Sequence, residues 1–260
     1  MHNEQNRNLT LSSLLAVVLA GCSASGSTSV EPIGLTGQRA LDELSPESLN
    51  SDGTASLSAM FATFPATANS DFTVRFPDSV IDGRSRILSY DAGVLVNEIY
   101  TIKGDFGTAE VEATYSAEGT YLSSSTESEV KDLPASLLET IQSSYPDSAL
   151  NEIERTTDQS GVVTYQIEIE TELTEAEVVL DSAGVVISTI SEISQSQVPT
   201  PVLNFVSSEL ANYDDFEYEE LTEQNGATTY IAELENDVES VSFTLTDIGD
   251  VLTIVYAQDL

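Results

Sequence analysis

The sequence has one cysteine, one histidine and no tryptophan among its 260 residues. The single cysteine, Cys22, leaves no partner for a disulfide within the chain. The single histidine, His2, lies in a segment that we expect to be removed. Catalysis by Ser-His-Asp or Cys-His groups needs an imidazole, zinc sites mostly need His or Cys, and no Walker-type phosphate loop occurs. A carboxylate-pair hydrolase needs only two acids and stays as a third hypothesis. We predict no enzyme activity, no catalytic residue, no metal site and no cofactor.

Basic side chains are also scarce. Eight Lys and Arg residues stand against 44 Asp and Glu residues, the formal net charge is −36, and no Lys or Arg follows Arg155. Such a surface repels phosphate backbones, so we expect no nucleic-acid partner. The apolar content of 40% and the alternating strand patterns argue against disorder in the repeated region, despite the charge.

The first residues have the pattern of a lipoprotein signal peptide. Arg7 precedes a mostly apolar run from Leu9 to Ala20, which is too short to span a bilayer. The run ends in Leu19-Ala20-Gly21-Cys22, which resembles the bacterial lipobox, in which the cysteine is lipidated. We predict a signal peptide at 1–21, lipidation of Cys22, a Ser- and Gly-rich tether at 22–52, and an envelope location, in the outer membrane facing the periplasm. The membrane is then a partner through the lipid on Cys22.

The rest of the chain is organised by an internal repeat at a constant offset of 65 (226 − 161 = 65). Placing Leu133 over Val198 brings identical residues together without a gap, which is typical of a duplicated supersecondary unit. The matching pairs include Glu154 with Glu219, Gly161 with Gly226, Tyr165 with Tyr230, Glu168 with Glu233, Glu170 with Glu235, and Gly184 with Gly249. Tyr100 and Gly119 precede Tyr165 and Gly184 by the same offset, and they indicate a more divergent copy upstream.

Each copy has the pattern of one helix followed by four short strands. In the second copy, Leu137, Leu138 and Ile141 have helical spacing after Pro134. Alternation from Val163 onward then predicts strands with an apolar and an acidic face. We predict an α+β fold of tandem repeats, each a helix packed on a four-stranded antiparallel meander. The units are 53–128, 133–194 and 198–260, and the sequence leaves open whether their sheets join. In the first unit we place the helix at Leu57–Phe64, ending at Pro65, and an insertion of roughly sixteen residues within 77–92.

Several of these residues resemble the PepSY-like family related to β-lactamase inhibitory proteins. They are Leu133-Pro134, Tyr145-Pro146, Tyr165 and the turn from Asp181 to Gly184. The third unit departs from the pattern, with Leu210-Ala211 and Thr246 in place of Tyr-Pro and Asp. The resemblance implies secreted or periplasmic modules that bind proteins or peptides. It implies no catalytic residue.

Acidic strand faces are the strongest polar feature. Like charges on neighbouring same-face positions repel, and no basic residue lies nearby in sequence. Three interpretations stay open: a solubility surface, a recognition face for a basic protein or peptide, and loose binding of divalent cations. The candidate binding face consists of Glu168, Glu170, Glu172, Glu233, Glu235 and Asp237. We expect a non-catalytic, lipid-anchored binding protein of the envelope; the alternative is a structural or envelope-stress lipoprotein with no discrete ligand.

Overall fold

The computed structural model describes the folded part of the chain in several ranges. The described residues are 64–91, 94–106, 109–171, 175–209, 213, 215–236 and 239–259. The signal peptide, the tether and Cys22 lie outside them, as do Glu172 and Asp237 of the candidate binding face. The structure therefore does not describe these positions.

Three ten-residue helices and twelve strands make up the described fold. The helices are α1 (Ala66–Arg75), α2 (Ala135–Ser144) and α3 (Thr200–Glu209). The strands are β1 (Val80–Asp91), β2 (Val94–Phe106), β3 (Ala109–Ser116), β4 (Tyr121–Glu127), β5 (Ala149–Asp158), β6 (Val163–Glu170), β7 (Glu175–Asp181), β8 (Val186–Glu192), β9 (Asp215–Glu223), β10 (Thr228–Glu235), β11 (Glu239–Leu245) and β12 (Val251–Asp259). No helix in the described ranges is both long and apolar enough to cross a membrane.

All twelve strands pair antiparallel in one closed barrel. Strand β4 pairs with β5, β8 pairs with β9, and β12 pairs with β1, so the edges of the three meanders meet. The predicted α+β fold of helix-on-meander repeats is therefore wrong, because the protein is mostly one closed β-barrel with three short helices outside it. A four-stranded meander has two edges of unpaired backbone groups, and closure satisfies all of them. The alternation of apolar and polar residues along a strand is a local pattern, so it does not predict which strand edges pair.

The internal repeat is also a repeat of strand register. Tyr165 of β6 lies opposite Leu180 of β7, and Tyr230 of β10 lies opposite Leu245 of β11. These positions are related by the repeat offset (230 − 165 = 65; 245 − 180 = 65). Tyr100 takes the same place in β2, opposite Tyr115 of β3. The three tyrosines lie on the apolar faces of their strands, where rings pack and the hydroxyl reaches the rim.

Each helix covers the outer, apolar face of the strands that follow it. Leu137 and Ile141 of α2 pack on Ile167, Ile169 and other residues of β5 to β7. Similar clusters lie under α1, around Phe72, and under α3, around Val202 and Phe243. The cluster under α3 also contains Leu88, which belongs to β1. Closure of the barrel thus joins the first unit to the core of the third.

The first unit differs from its prediction at the helix. The predicted helix at Leu57–Phe64 lies almost entirely outside the described residues, and the first described helix begins directly after Pro65. Proline suits a helix start, because the first turn does not need its missing N–H. Pro65 therefore matches Pro134, at an offset of 69 (134 − 65 = 69). Only four extra residues (69 − 65 = 4) separate the helix from Tyr100, rather than roughly sixteen.

The basic residues of the first unit are held within that unit. Arg86 Nη2 lies 2.7 Å from Glu98 Oε1 on the outer face of the barrel. Arg84 Nε donates a hydrogen bond to Asn69 Oδ1 of α1 at 3.1 Å. The guanidinium of Arg75 lies 3.7 Å from the centre of the Tyr121 ring. The contacts of Arg84 and Arg75 fasten α1 to the strands beside it, whereas the Arg86–Glu98 pair joins β1 to β2.

Three glycine turns press against the helix starts. Gly119, Gly184 and Gly249 have φ of +79°, +87° and +85°, the left-handed region that side chains disfavour. A Cβ on Gly184 would lie 3.0 Å from Ser136 O in the first turn of α2, and a Cβ on Gly249 would lie 3.0 Å from Pro201 O of α3. These turns allow each helix to approach its own hairpin.

We expect Gly184→Ala to destabilise the barrel more than Gly161→Ala. The two glycines have φ of +87° and +85°, but a Cβ on Gly161 meets nothing within 4 Å. The backbone strain of roughly 1–2 kcal/mol is therefore common to both variants, and overpacking against α2 adds about 1 kcal/mol or more only at Gly184. Urea denaturation of both variants measures the difference. Equal losses of stability in the two variants would show that a Cβ at position 184 does not clash with α2.

Candidate functional site

The inner faces of the strands form a lumen that contains both acidic and apolar side chains. Strand alternation directs the apolar residues outward to the helices, and their neighbours in sequence point inward. Four inward glutamates lie on alternate strands: Glu112 on β3, Glu154 on β5, Glu177 on β7 and Glu219 on β9. We call these four residues the lumen carboxyls. A buried apolar cluster lies beside these acids, with Ile190 directly opposite Glu177 and Ile231 directly opposite Glu219. Its members are Ile87, Ile99, Ile190, Leu221, Ile231 and Val255.

One end of the barrel carries most of the remaining inward acids. Strands β6 and β10 end there and strands β3 and β7 begin there, as their antiparallel pairing requires. We define the acidic mouth as Glu110, Glu127, Glu168, Glu170, Glu175, Glu192, Glu217, Glu233 and Glu235. Glu170 and Glu235 are exposed, whereas Glu168 and Glu233 are partly buried. The glycine turns described above lie at the other end.

The sequence-based candidate face is therefore inside the barrel rather than on an open sheet. Glu168 and Glu170 of β6, and Glu233 and Glu235 of β10, lie on inward positions at the same end. The structure brings these four residues to one mouth. It also adds the lumen carboxyls, which the sequence analysis did not single out. A signal was present, since the repeat offset relates Glu112 to Glu177 and Glu154 to Glu219 (177 − 112 = 65; 219 − 154 = 65).

Burial and mutual repulsion perturb the lumen carboxyls. Burial raises the pKa of Glu177 to about 8, and the charges of Glu219 and Glu154 contribute to the same shift. Burial also raises the pKa of Glu112 to about 8, although Lys103 opposes the shift. The pKa of Glu154 is raised mainly by burial, against a hydrogen bond from Ser125. A carboxyl with a pKa near 8 holds its proton at neutral pH.

One ammonium group lies among these acids. Lys103 Nζ is 3.2 Å from Glu110 Oε1 and 3.9 Å from Glu112 Oε2. Lys103 is the only Lys or Arg at an inward position of the strands that the structure describes. Within the described ranges, no group of three or more His, Cys, Asp or Glu side chains is arranged to hold a metal ion.

More than half of the chain matches a known protein family. The family described as "Putative beta-lactamase-inhibitor-like, PepSY-like" matches residues 100–188 and 185–252. Together these matches span residues 100–252, which is 153 of the 260 residues (252 − 100 + 1 = 153). The chain belongs to the PepSY-like family. The resemblance noted from the sequence is thus confirmed, and it extends into the strands of the first unit. No curated protein matches this PepSY-like chain.

Several solved structures align with part of this PepSY-like chain. A DUF2874 family protein from Bacteroides uniformis ATCC 8492 has 10% identity and a TM-score of 0.40, over 48% of this chain and 88% of its own. A BLIP-like protein from Bacteroides fragilis NCTC 9343 has 20% identity and a TM-score of 0.37, over 49% and 86%. A protein described as a "putative lipoprotein", from Clostridium difficile 630, has 21% identity and a TM-score of 0.22, over 50% and 94%.

Proposed function

We propose that this PepSY-like protein is a non-catalytic binding protein of the cell envelope, which takes a basic segment of a protein or peptide partner at the acidic mouth. One observation carries the proposal: inward carboxylates from seven strands gather at one end of the barrel, with Lys103 as the only inward basic group among the described strands. A basic segment entering this end would relieve the repulsion between these carboxylates.

The burial of the lumen carboxyls supports a binding role over hydrolysis. A hydrolase with two carboxyl groups needs both of them in contact with substrate. Glu177 Oε1 and Glu112 Oε2 are buried away from solvent. The raised pKa values of these groups therefore reflect enclosure by the barrel, and the acids that a partner can reach are those of the mouth, such as Glu170 and Glu235.

The proposed location rests on the amino-terminal pattern. Leu19-Ala20-Gly21-Cys22 ends an apolar run and includes the only cysteine in the chain. Lipidation of Cys22 would hold the barrel at a membrane, and the tether at 22–52 would let it reach partners. We propose the periplasmic face of the outer membrane as the site of anchoring. Palmitate labelling of the wild-type chain, absent in Cys22→Ala, tests this assignment.

A defined cationic probe tests the proposed binding site. We expect decalysine to bind the full chain, and the combined substitution of Glu170, Glu233 and Glu235 by Gln to weaken binding about tenfold, at roughly 0.5 kcal/mol for each charge removed. The matched control replaces Glu118, Glu139 and Glu223, which are exposed and outside the mouth. Titration calorimetry at low and at physiological salt gives both affinities.

Affinity capture from an envelope extract then tests for a natural partner. We expect a basic protein that is recovered by the wild-type chain, lost with the mouth variant and kept with the control variant. Capture that depends equally on both sets of glutamates would indicate general charge attraction. That result would favour the alternative, an acidic structural lipoprotein without a discrete ligand.

A further inference from the structure

Exposed apolar side chains gather at the end of the barrel opposite the acidic mouth. We call this end, where the glycine turns lie, the turn end. Of the twelve large hydrophobic side chains that are exposed among the described residues, eight lie there. The four elsewhere are Val74, Val80, Val130 and Phe216. Single exposed hydrophobic residues are ordinary, but their concentration at one end marks an interaction surface.

The hairpin between β1 and β2 at the turn end is longer than its counterparts. Nine residues separate Leu88 from its partner Glu98 (98 − 88 − 1 = 9). Five residues separate Thr157 from its partner Val163 at the same place in the second unit (163 − 157 − 1 = 5). The four extra residues of the first unit therefore lie in this hairpin and lengthen it.

The longer hairpin extends past the strand beside it. Strand β2 begins at Val94, but its pairing with β3 begins only where Ile99 lies opposite Ser116. Among the described strands, the stretch before Ile99 pairs with β1 alone. There Val94, Leu95 and Val96 follow one another and are 64%, 45% and 55% exposed. An apolar stretch of strand edge in this situation favours an interaction that covers it.

The charge of the chain restricts what can cover the hairpin. Between Leu88 and Glu98 the only charged residue is Asp91. A second copy of the chain would bring another net charge of −36 to this surface, and that charge opposes association. A surface of zwitterionic lipid has no such net charge, and aliphatic side chains can enter between its head groups.

The chain also enters the barrel at the turn end. The ring of Phe64, the first described residue, lies 5.2 Å from the ring of Tyr100 in β2. Pro65 lies against the turn of Gly119, where an added Cβ would be 2.9 Å from Pro65 Cβ. The 42 residues at 22–63 (63 − 22 + 1 = 42) therefore lead from the proposed lipid anchor to this end. A tether gives an effective concentration on the order of 1 mM, so a weak contact with the lipid is sufficient.

We infer that the β1–β2 hairpin docks on the lipid surface that anchors the chain, with Val94, Leu95 and Val96 between the lipid head groups. This inference rests on the proposed lipid anchor and goes beyond it, because it sets the orientation of the barrel. Docking stops at the head-group layer, where the backbone edge of β2 and the carboxylate of Asp91 stay hydrated. The acidic mouth then faces away from the lipid, where a basic partner can reach it.

Tryptophan fluorescence tests this docking, because the chain has no tryptophan of its own. The lipidated full chain carrying Leu95→Trp is placed in phosphatidylcholine vesicles with and without brominated acyl chains, which quench a tryptophan that reaches the lipid. We expect roughly twofold quenching for Leu95→Trp and none for Val80→Trp, which is 67% exposed but lies at the mouth end of β1. The melting temperatures of both variants show whether the barrel is folded.

Flotation of the same samples separates hairpin docking from the lipid anchor. Chains that float with the vesicles but show no quenching at position 95, or equal quenching at positions 80 and 95, would overturn the docking and leave the anchor in place. Chains that do not float would overturn both. A shift of the Leu95→Trp emission that grows with protein concentration in the absence of vesicles would identify a second copy as the partner, and would also overturn the docking.

A second test removes the anchor. We expect the full chain with Cys22→Ala to bind phosphatidylcholine vesicles only at lipid concentrations on the order of 1 mM, and added Leu95→Asn and Val96→Asn to weaken this binding about tenfold. The matched control adds Val80→Asn and Val130→Asn, at two exposed positions of the mouth end. Replacing part of the lipid by phosphatidylglycerol should weaken all binding, because anionic head groups repel the acidic chain. Equal binding by the two sets of variants, or none by the Cys22→Ala chain, would overturn the inference.

Discussion

Glu177→Gln is expected to stabilise the barrel at pH 8 and to leave its stability almost unchanged at pH 5. The folded-state pKa of Glu177 is about 8, above its ordinary value of 4.5, so the folded protein keeps a proton that the unfolded chain has released between these values. Stability is therefore fully present below pH 4.5 and falls as pH rises through this window. The loss at pH 8 is on the order of 4 kcal/mol, and glutamine removes it because it needs no proton to stay neutral.

The groups that face Glu177 set the size of this effect. The five polar ones are Gln166 and Glu168 on β6, Glu152 and Glu154 on β5, and Glu219 on β9, and the residue directly opposite on β8 is the apolar Ile190. Four of these five are acids, so the ionised form of Glu177 meets repulsion as well as loss of water. Glu152 and Glu154 also have raised pKa values, mainly through burial, and they add to the same decline of stability with pH.

Urea denaturation at pH 5 and pH 8 measures this dependence. The wild type should lose stability between the two values, and Glu177→Gln should show a clearly smaller loss. Glu139→Gln on the exposed face of α2 is the matched control, because it makes the same chemical change outside the lumen. If Glu177→Gln and the wild type give parallel pH profiles, Glu177 is not protonated in the folded barrel.

Leu88→Ala is expected to destabilise the whole barrel by about 2–4 kcal/mol, whereas Leu252→Ala should cost less than about 1 kcal/mol. Leu88 is 5% exposed and lies on β1, yet it packs in the cluster under α3, beside Tyr256 of β12. Leu252 lies on β12, the neighbouring strand, but is 41% exposed. The two variants remove the same atoms, so the difference between their losses of stability measures the packing that closes the barrel.

The shape of the unfolding curve tests closure itself. Strands β1 and β12 pair from Ser85–Asp259 to Asp91–Thr253, which joins the first unit to the third. A closed barrel should unfold in a single transition, because no unit can leave without exposing the edges of both neighbours. Circular dichroism and tyrosine fluorescence should both show the loss of stability caused by Leu88→Ala as a shift of that one transition. Two separate transitions, with only one of them shifted, would show that the units unfold independently.

Some of the fold could be read from the repeat. The constant repeat offset and the alternation from Val163 onward predicted a helix and four strands in the second unit, and these lie at α2 and β5 to β8. These features depend on neighbouring residues, and local patterns determine them. The sequence analysis missed the helix that begins after Pro65, and the helix that it placed before Pro65 lies almost entirely outside the described residues. Proline is compatible with both interpretations, and the repeat offset there is 69 instead of 65 (134 − 65 = 69).

The candidate site, like the fold, was predicted only in part from the sequence. The sequence identified Glu168, Glu170, Glu233 and Glu235 as acidic faces of two strands, but alternation alone does not say what an acidic face meets. In the barrel those faces meet each other across a lumen, together with Glu112 and Glu177. Residues from strands far apart in sequence approach there, so no local pattern predicts the raised pKa values of Glu112 and Glu177.

The amino-acid sequence by itself determined the repeat, the alternation of apolar and acidic faces, the charge and the family. Tertiary structure decided that three meanders close into one barrel and that the acids point inward. The physical reason is that hydrogen bonds between strand edges, and the burial of carboxyl groups, depend on pairings such as β12 with β1. No window of neighbouring residues contains such a pairing.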